Sequence, residues 1–80
     1  MLLDEFIEYI KQGREIEFSY KNSKYFISWC NYELKTYSIY SEKKQKILFE
    51  GKLIDLLSYK FLEDDCFNDN FEDFAIEYIY

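Results

Sequence analysis

The side chains able to do chemistry are crowded into one stretch of this chain. Between Phe61 and Tyr80 lie seven carboxylates, among them Glu63, Asp64, Asp65, Asp69, Glu72 and Asp73, together with Cys66 and no Lys or Arg. Residues 1–60 hold ten bases against nine acids, so the formal charge of −6 belongs to one end of the sequence. Carboxylates at this density suit three kinds of chemistry: a general acid/base pair, a loop for a hard cation, or an anionic docking surface.

The first two fail on their surroundings. An acid/base pair needs a walled cleft, and eighty residues leave little chain to build one of the usual volume. An EF-hand loop needs Gly at its sixth position and Glu at its twelfth, and no Asp between 64 and 73 is followed by either. The chain has no His, which removes His-based triads, dyads and zinc ligand sets. Cys66 stands among Asp64, Asp65 and Asp69, whose charge works against a thiolate nucleophile, and two cysteines are too few for structural zinc. Gly13 and Gly51 are the only glycines, so a phosphate-binding loop is missing as well. The sequence predicts no catalytic residue, no metal and no cofactor.

Docking is left. Phe67, Phe71, Phe74 and Tyr78 interrupt the acids, and carboxylates that steer encounter beside rings that anchor are the makings of a contact surface for a basic protein. Its expected members are Glu63, Asp64, Asp65, Phe67, Asp69, Phe71, Glu72 and Asp73. Proteins that hold nucleic acid are one class of such partner, which an acidic module would inhibit by filling a phosphate-binding groove. The plainer alternative is that the rings pack inward while the acids solubilise the outside. Direct nucleic-acid binding is disfavoured by the net charge, and Lys43, Lys44 and Lys46 read as a solvated turn. A second class of function is homodimerisation, with the strand carrying Tyr37, Ile39 and Tyr40 or the tail Ile76 to Tyr80 pairing across a dimer axis.

The elements that would position these groups follow from periodicity. Leu3, Phe6, Ile7 and Ile10 give an amphipathic helix over 3–12, with Gly13 as its left-handed exit. The period then falls to two. Ile16, Phe18 and Tyr20, a polar turn at 21–24, and Tyr25, Ile27 and Trp29 describe a hairpin with Asn22 at positive φ. A third strand over 34–40, a polar connection at 41–46 and a short fourth strand at 47–49 lead to a helix over 51–62. The tail 75–80 fits both a helix and a strand, and the reading adopted is a short helix near 71–75 followed by a strand. The fold predicted is one domain over 1–80 of the α+β class, a three- or four-stranded antiparallel sheet with an N-terminal helix and a second helix on one face. Its expected core is Phe6, Ile7, Ile10, Ile16, Phe18, Ile27, Trp29, Ile39, Leu53, Leu56 and Leu57, with the nine tyrosines half-buried around it.

Leu2 and Leu3 are followed at once by Asp4 and Glu5, without a basic start, and no stretch approaches the roughly 20 apolar residues of a membrane span. A cytoplasmic protein with Cys30 and Cys66 reduced, both as packing elements, is expected.

The sequence FIEYIKQGREIEFSY at 6–20, followed by KYFI at 24–27, resembles small uncharacterised proteins of low-GC Gram-positive bacteria and their phages. The similarity covers residues 3–30 clearly and the remainder in outline. It implies an α+β module built from a helix, a turn into a hairpin and a later helix, and a phage-like origin would favour a host-directed inhibitor. This chain departs from the pattern at the hairpin tip, which has no Gly.

Overall fold

The computed structural model describes residues 1–80. Helix α1 covers Leu3–Lys11 and buries Phe6 and Ile10, with Asp4 and Glu5 in its first turn and Lys11 in its last, as the helix dipole favours. Gly13 leaves it at φ 79°, the left-handed exit expected. Strands β1 (Ile16–Tyr20) and β2 (Ser23–Asn31) are joined by Lys21 and Asn22 alone. Both take positive φ, 48° and 62°, so the two-residue turn has the hand that matches strand twist even without Gly. The register opposes Ile16 to Ile27 and Phe18 to Tyr25, which sends these four to one face.

Strands β3 (Thr36–Ser41) and β4 (Lys46–Lys52) follow. The two hairpin loops, 32–35 and 42–45, share one solution. Asn31 Oδ1 accepts the Leu34 N–H at 3.0 Å, Ser41 Oγ accepts the Lys44 N–H at 3.1 Å, and Lys35 and Gln45 each close their loop at φ 53°. Leu34 and Lys35 therefore belong to a turn, not to the strand expected from residue 34.

Strand β4 runs three residues past the expected 49 and takes the start of the expected helix. Thr36 pairs with Lys52 and Tyr37 with Gly51. These ladder positions satisfy backbone groups that a helix starting at Gly51, with no good cap available, would leave open. Helix α2 is reduced to Leu53–Ser58. After a 3-10 turn at Leu62–Asp64 come α3 (Phe67–Asn70), a second 3-10 turn at Phe71–Asp73 and β5 (Ala75–Ile79).

The tail is thus a strand, antiparallel to β1, and completes a five-stranded sheet in the order β4-β3-β2-β1-β5. That is one strand more than the sequence predicts. The edges are β4, with Lys46 and Lys52 at its ends, and β5. Strand β3 lies between two neighbours, so Tyr37, Ile39 and Tyr40 have no free backbone to offer a second chain. No helix is long and apolar enough to cross a membrane.

The core lies between one sheet face and the helices. Ile16, Phe18, Tyr20, Tyr25, Ile27, Tyr37 and Ile39 meet Phe6, Ile10, Leu56, Leu57, Phe67 and Phe74. Three of the tyrosines, Tyr20, Tyr25 and Tyr37, are buried, against the expectation of rim positions; the first two lie under Phe61 of the C-terminal segment. Phe67, 0% exposed, is the hub. Its ring centroid lies 4.5 Å from Phe74, 4.8 Å from Phe6 and 5.3 Å from Phe18, joining α3, the approach to β5, α1 and β1. The reverse sheet face carries half-buried Phe26 and Tyr40 and exposed Tyr78 and Tyr80. In urea unfolding, Phe67→Ala should cost about 3–5 kcal/mol, whereas Tyr78→Ala should stay within about 0.5 kcal/mol of the parent.

Candidate functional site

The acidic segment disperses on folding. Phe67 is fully buried and Phe74 nearly so, and Phe71 is half-buried with its ring 5.0 Å from that of Phe6. The expected apolar anchors Phe67 and Phe71 are therefore core residues, because the short helices of 62–73 turn their rings toward the sheet. Among the carboxylates, Glu63 pairs with Lys21 at 3.2 Å and Asp69 with Lys60 at 3.7 Å. Asp69 also accepts from Cys66 Sγ at 3.4 Å, and Asn70 Oδ1 reaches back to the Cys66 N–H instead of capping the turn after it. Glu77 is on the reverse sheet face, accepting from Ser19 Oγ at 2.7 Å. Asp64, Glu72 and Asp73 are exposed and join no salt bridge. No three Cys, Asp or Glu side chains converge as a metal site would require.

Asp65 is turned inward. The Tyr20 hydroxyl lies 2.6 Å from its Oδ2 and 2.5 Å from the Leu62 carbonyl oxygen, so one phenolic proton is shared between two acceptors. Loss of hydration around the buried ring, and then the Asp65 carboxylate beside it, push the phenol far above its ordinary value of 10.0. This clamp holds the 61–65 loop against the end of β1.

At the other end of β2 the surface is of a different kind. A groove of about 960 Å³ runs between the 32–35 turn and the start of α2. Its apolar wall is Trp29, Tyr32, Leu34, Tyr37, Leu53 and Ile54, and its rim carries Lys11, Lys35 and Lys52 against the single carboxylate of Glu33. Lys35 and Lys52 join no salt bridge, and Lys11 meets only Glu8, at 3.8 Å. An exposed apolar patch edged by unpaired cations has the composition of a contact surface.

Local structure explains how these side chains are held. Trp29 opposes Tyr37 and Asn31 opposes Thr36, so Cys30 is an extra residue, a bulge that bends β2 as it leaves the sheet. The Trp29 ring covers Gly13, where a Cβ would overlap it. Gly13 thus serves twice, for its left-handed φ and for its missing side chain. Tyr32 also lies against the indole, with centroids 4.3 Å apart at 43°. The Asn31 side chain fixes the turn that presents Tyr32 and Leu34, and Ile54 projects from the first turn of α2 at 74% exposure. Cys30 is exposed nearby, its thiol held above the ordinary range by a hydrogen bond to Glu50, so it is neither a packing element nor an activated nucleophile.

The sequence reading put Trp29 in the core because it continues the alternation of Tyr25 and Ile27. The alternation gives the correct face, but α1 ends at Lys11 and α2 begins at Leu53, leaving the indole 42% exposed at the margin of the helix layer. Two large apolar residues, Tyr32 and Leu34, inside an otherwise polar hairpin loop were the available signal. Comparison of the chain with protein-family models, with curated proteins and with solved structures gives no match in any of the three.

Two outcomes test this geometry. Because the folded state holds the Tyr20 proton more tightly than the unfolded chain, that contribution to stability is complete below about pH 10 and is lost as pH rises beyond it. Urea midpoints measured across that range should fall for the parent and fall less steeply for Tyr20→Phe, which should itself cost about 1.5–3 kcal/mol at neutral pH. Gly13→Ala should cost more than about 1 kcal/mol and shift Trp29 fluorescence to the red as the indole is displaced into water.

Proposed function

We propose that this chain is a non-catalytic protein-binding module whose contact surface is the groove at Trp29. The occupant this surface suits is an acidic protein segment that carries an exposed apolar side chain. The observation that carries the reading is the combination of a fixed, part-exposed indole with three rim lysines, two of them free of any carboxylate. Aromatic residues fixed in place lose little entropy on contact and are the residue types in which binding energy concentrates. The lysines add steering and select against basic segments.

Asp64, Glu72 and Asp73 join no salt bridge and are available for a basic partner, but Phe67 and Phe74 are buried and Phe71 is half-buried against Phe6, so they supply attraction with little apolar anchor. This favours the groove over the acidic segment as the main contact. A cytoplasmic setting accords with Cys30, an exposed free thiol that an oxidising compartment would tend to pair.

Trp29 is the only Trp, so its emission reports directly on the groove. Synthetic peptides with one Leu or Phe set between carboxylates should shift its emission to the blue in a saturable, salt-sensitive manner. Peptides with Lys in place of the acids should not. The double variant Lys35→Glu/Lys52→Glu should weaken the acidic peptides by at least about tenfold. Equal response to acidic and basic peptides, or unchanged affinity in the double variant, would refute the reading.

A further inference from the structure

We infer that the groove is built for the Leu62–Asp64 loop of a second copy of this chain, an assignment that rests on the groove being a binding surface. The loop has the required chemistry. Leu62 is 59% exposed and is followed by the exposed carboxylates of Glu63 and Asp64. Glu63 and Asp64 take consecutive left-handed conformations, φ 59° and 62°, a costly arrangement for residues other than Gly that turns the chain sharply at the loop tip.

The loop is also rigid where it joins the protein. The Phe61 N–H donates to the Asp65 carbonyl at 2.8 Å, the Asp65 N–H to the Leu62 carbonyl at 3.2 Å, and the Tyr20 hydroxyl pins Leu62 and Asp65 from below. An apolar knob followed by the free carboxylate of Asp64 and by Glu63, whose exposed partner Lys21 it would exchange for a groove lysine, therefore stands on a fixed arm. The groove offers the complement: Trp29, Tyr32, Leu34 and Ile54 for the knob, Lys35 and Lys52 for the charges.

A single molecule cannot close this contact on itself. The loop is tied to Tyr20, beside the start of β2, and the groove begins at Trp29 near its end, with most of the strand between them. At about 3.3 Å per residue that separation is roughly 20 Å. The contact is heterologous, loop of one copy into groove of the next, so association proceeds head to tail and either closes as a ring or continues. Its small area and its charges make it weak and sensitive to salt.

Sedimentation at about 20 mM salt should give a mass that rises above 9.9 kDa between about 10 µM and about 1 mM, and returns to 9.9 kDa at about 0.5 M salt. Leu62→Asp and Lys35→Glu/Lys52→Glu should each weaken association by at least about tenfold while keeping the parental circular dichroism and unfolding midpoint. Mixed in equal amounts, the two variants retain one intact loop and one intact groove between them, so they should form a 1:1 dimer that grows no further.

Parent protein that stays at 9.9 kDa throughout would overturn the inference while leaving the groove's response to acidic peptides standing. Association that persists in both variants would overturn it too, pointing to a symmetric contact such as the free edge of β5. A groove that fails to bind acidic peptides would instead remove the reading on which the inference rests.

Discussion

Phe67 is the side chain on which the remaining structure leans. It brings α1, β1, α3 and the approach to β5 into one aromatic contact set, with neighbouring rings within about van der Waals reach of it. A domain of eighty residues has one core and little surplus, so the segment that carries the net negative charge is also the segment that closes that core. Charge and burial are reconciled by geometry. Short helical turns in 62–73 point Phe67, Phe71 and Phe74 inward and leave Asp64, Asn68, Glu72 and Asp73 in water. The density of acids in that stretch is the solvated side of an aromatic plug.

Much of the architecture is legible in the amino-acid order where periodicity is strong. The spacing of Leu3, Phe6, Ile7 and Ile10 gives α1, and the alternation from Ile16 to Ile27 gives the first hairpin and its core face, although the turn expected at 21–24 is only Lys21 and Asn22, which moves the register so that Phe18 opposes Tyr25. The tail reads equally as helix or strand; its helical turns fall at 67–73, earlier than the expected 71–75, and β5 is decided by pairing with β1, which leaves no local trace across some sixty residues. The boundary between β4 and α2 is misread for a physical reason. Gly51 and Lys52 have no pattern of their own, and their pairing with Tyr37 and Thr36 decides their state. Trp29 is misread because alternation tells which face a side chain takes and is silent on how far the covering layer extends.

The two ends of β2 are organised on different principles. At its start, a phenol shared between a carboxylate and a carbonyl fastens the 61–65 loop to the sheet. At its end, a bulge at Cys30 and a Gly facing an indole leave aromatic surface fixed but uncovered. The first device spends polar groups on internal order. The second withholds apolar ones from the core, a choice with no gain in stability that makes sense as a surface kept for contact.

Strand β5 adds a requirement in time. It pairs residues 75–79 with residues 16–19, and Tyr80 donates its backbone N–H to Glu15. A ribosome delivers both sides of that ladder only once residues 75–80 have left it, so the edge of β1 and the floor beneath Phe74 stay open until then. Nascent chains would hold a half-closed layer of apolar residues until residues 75–80 emerge, and compaction should come as one event once they do instead of building up from the first helix.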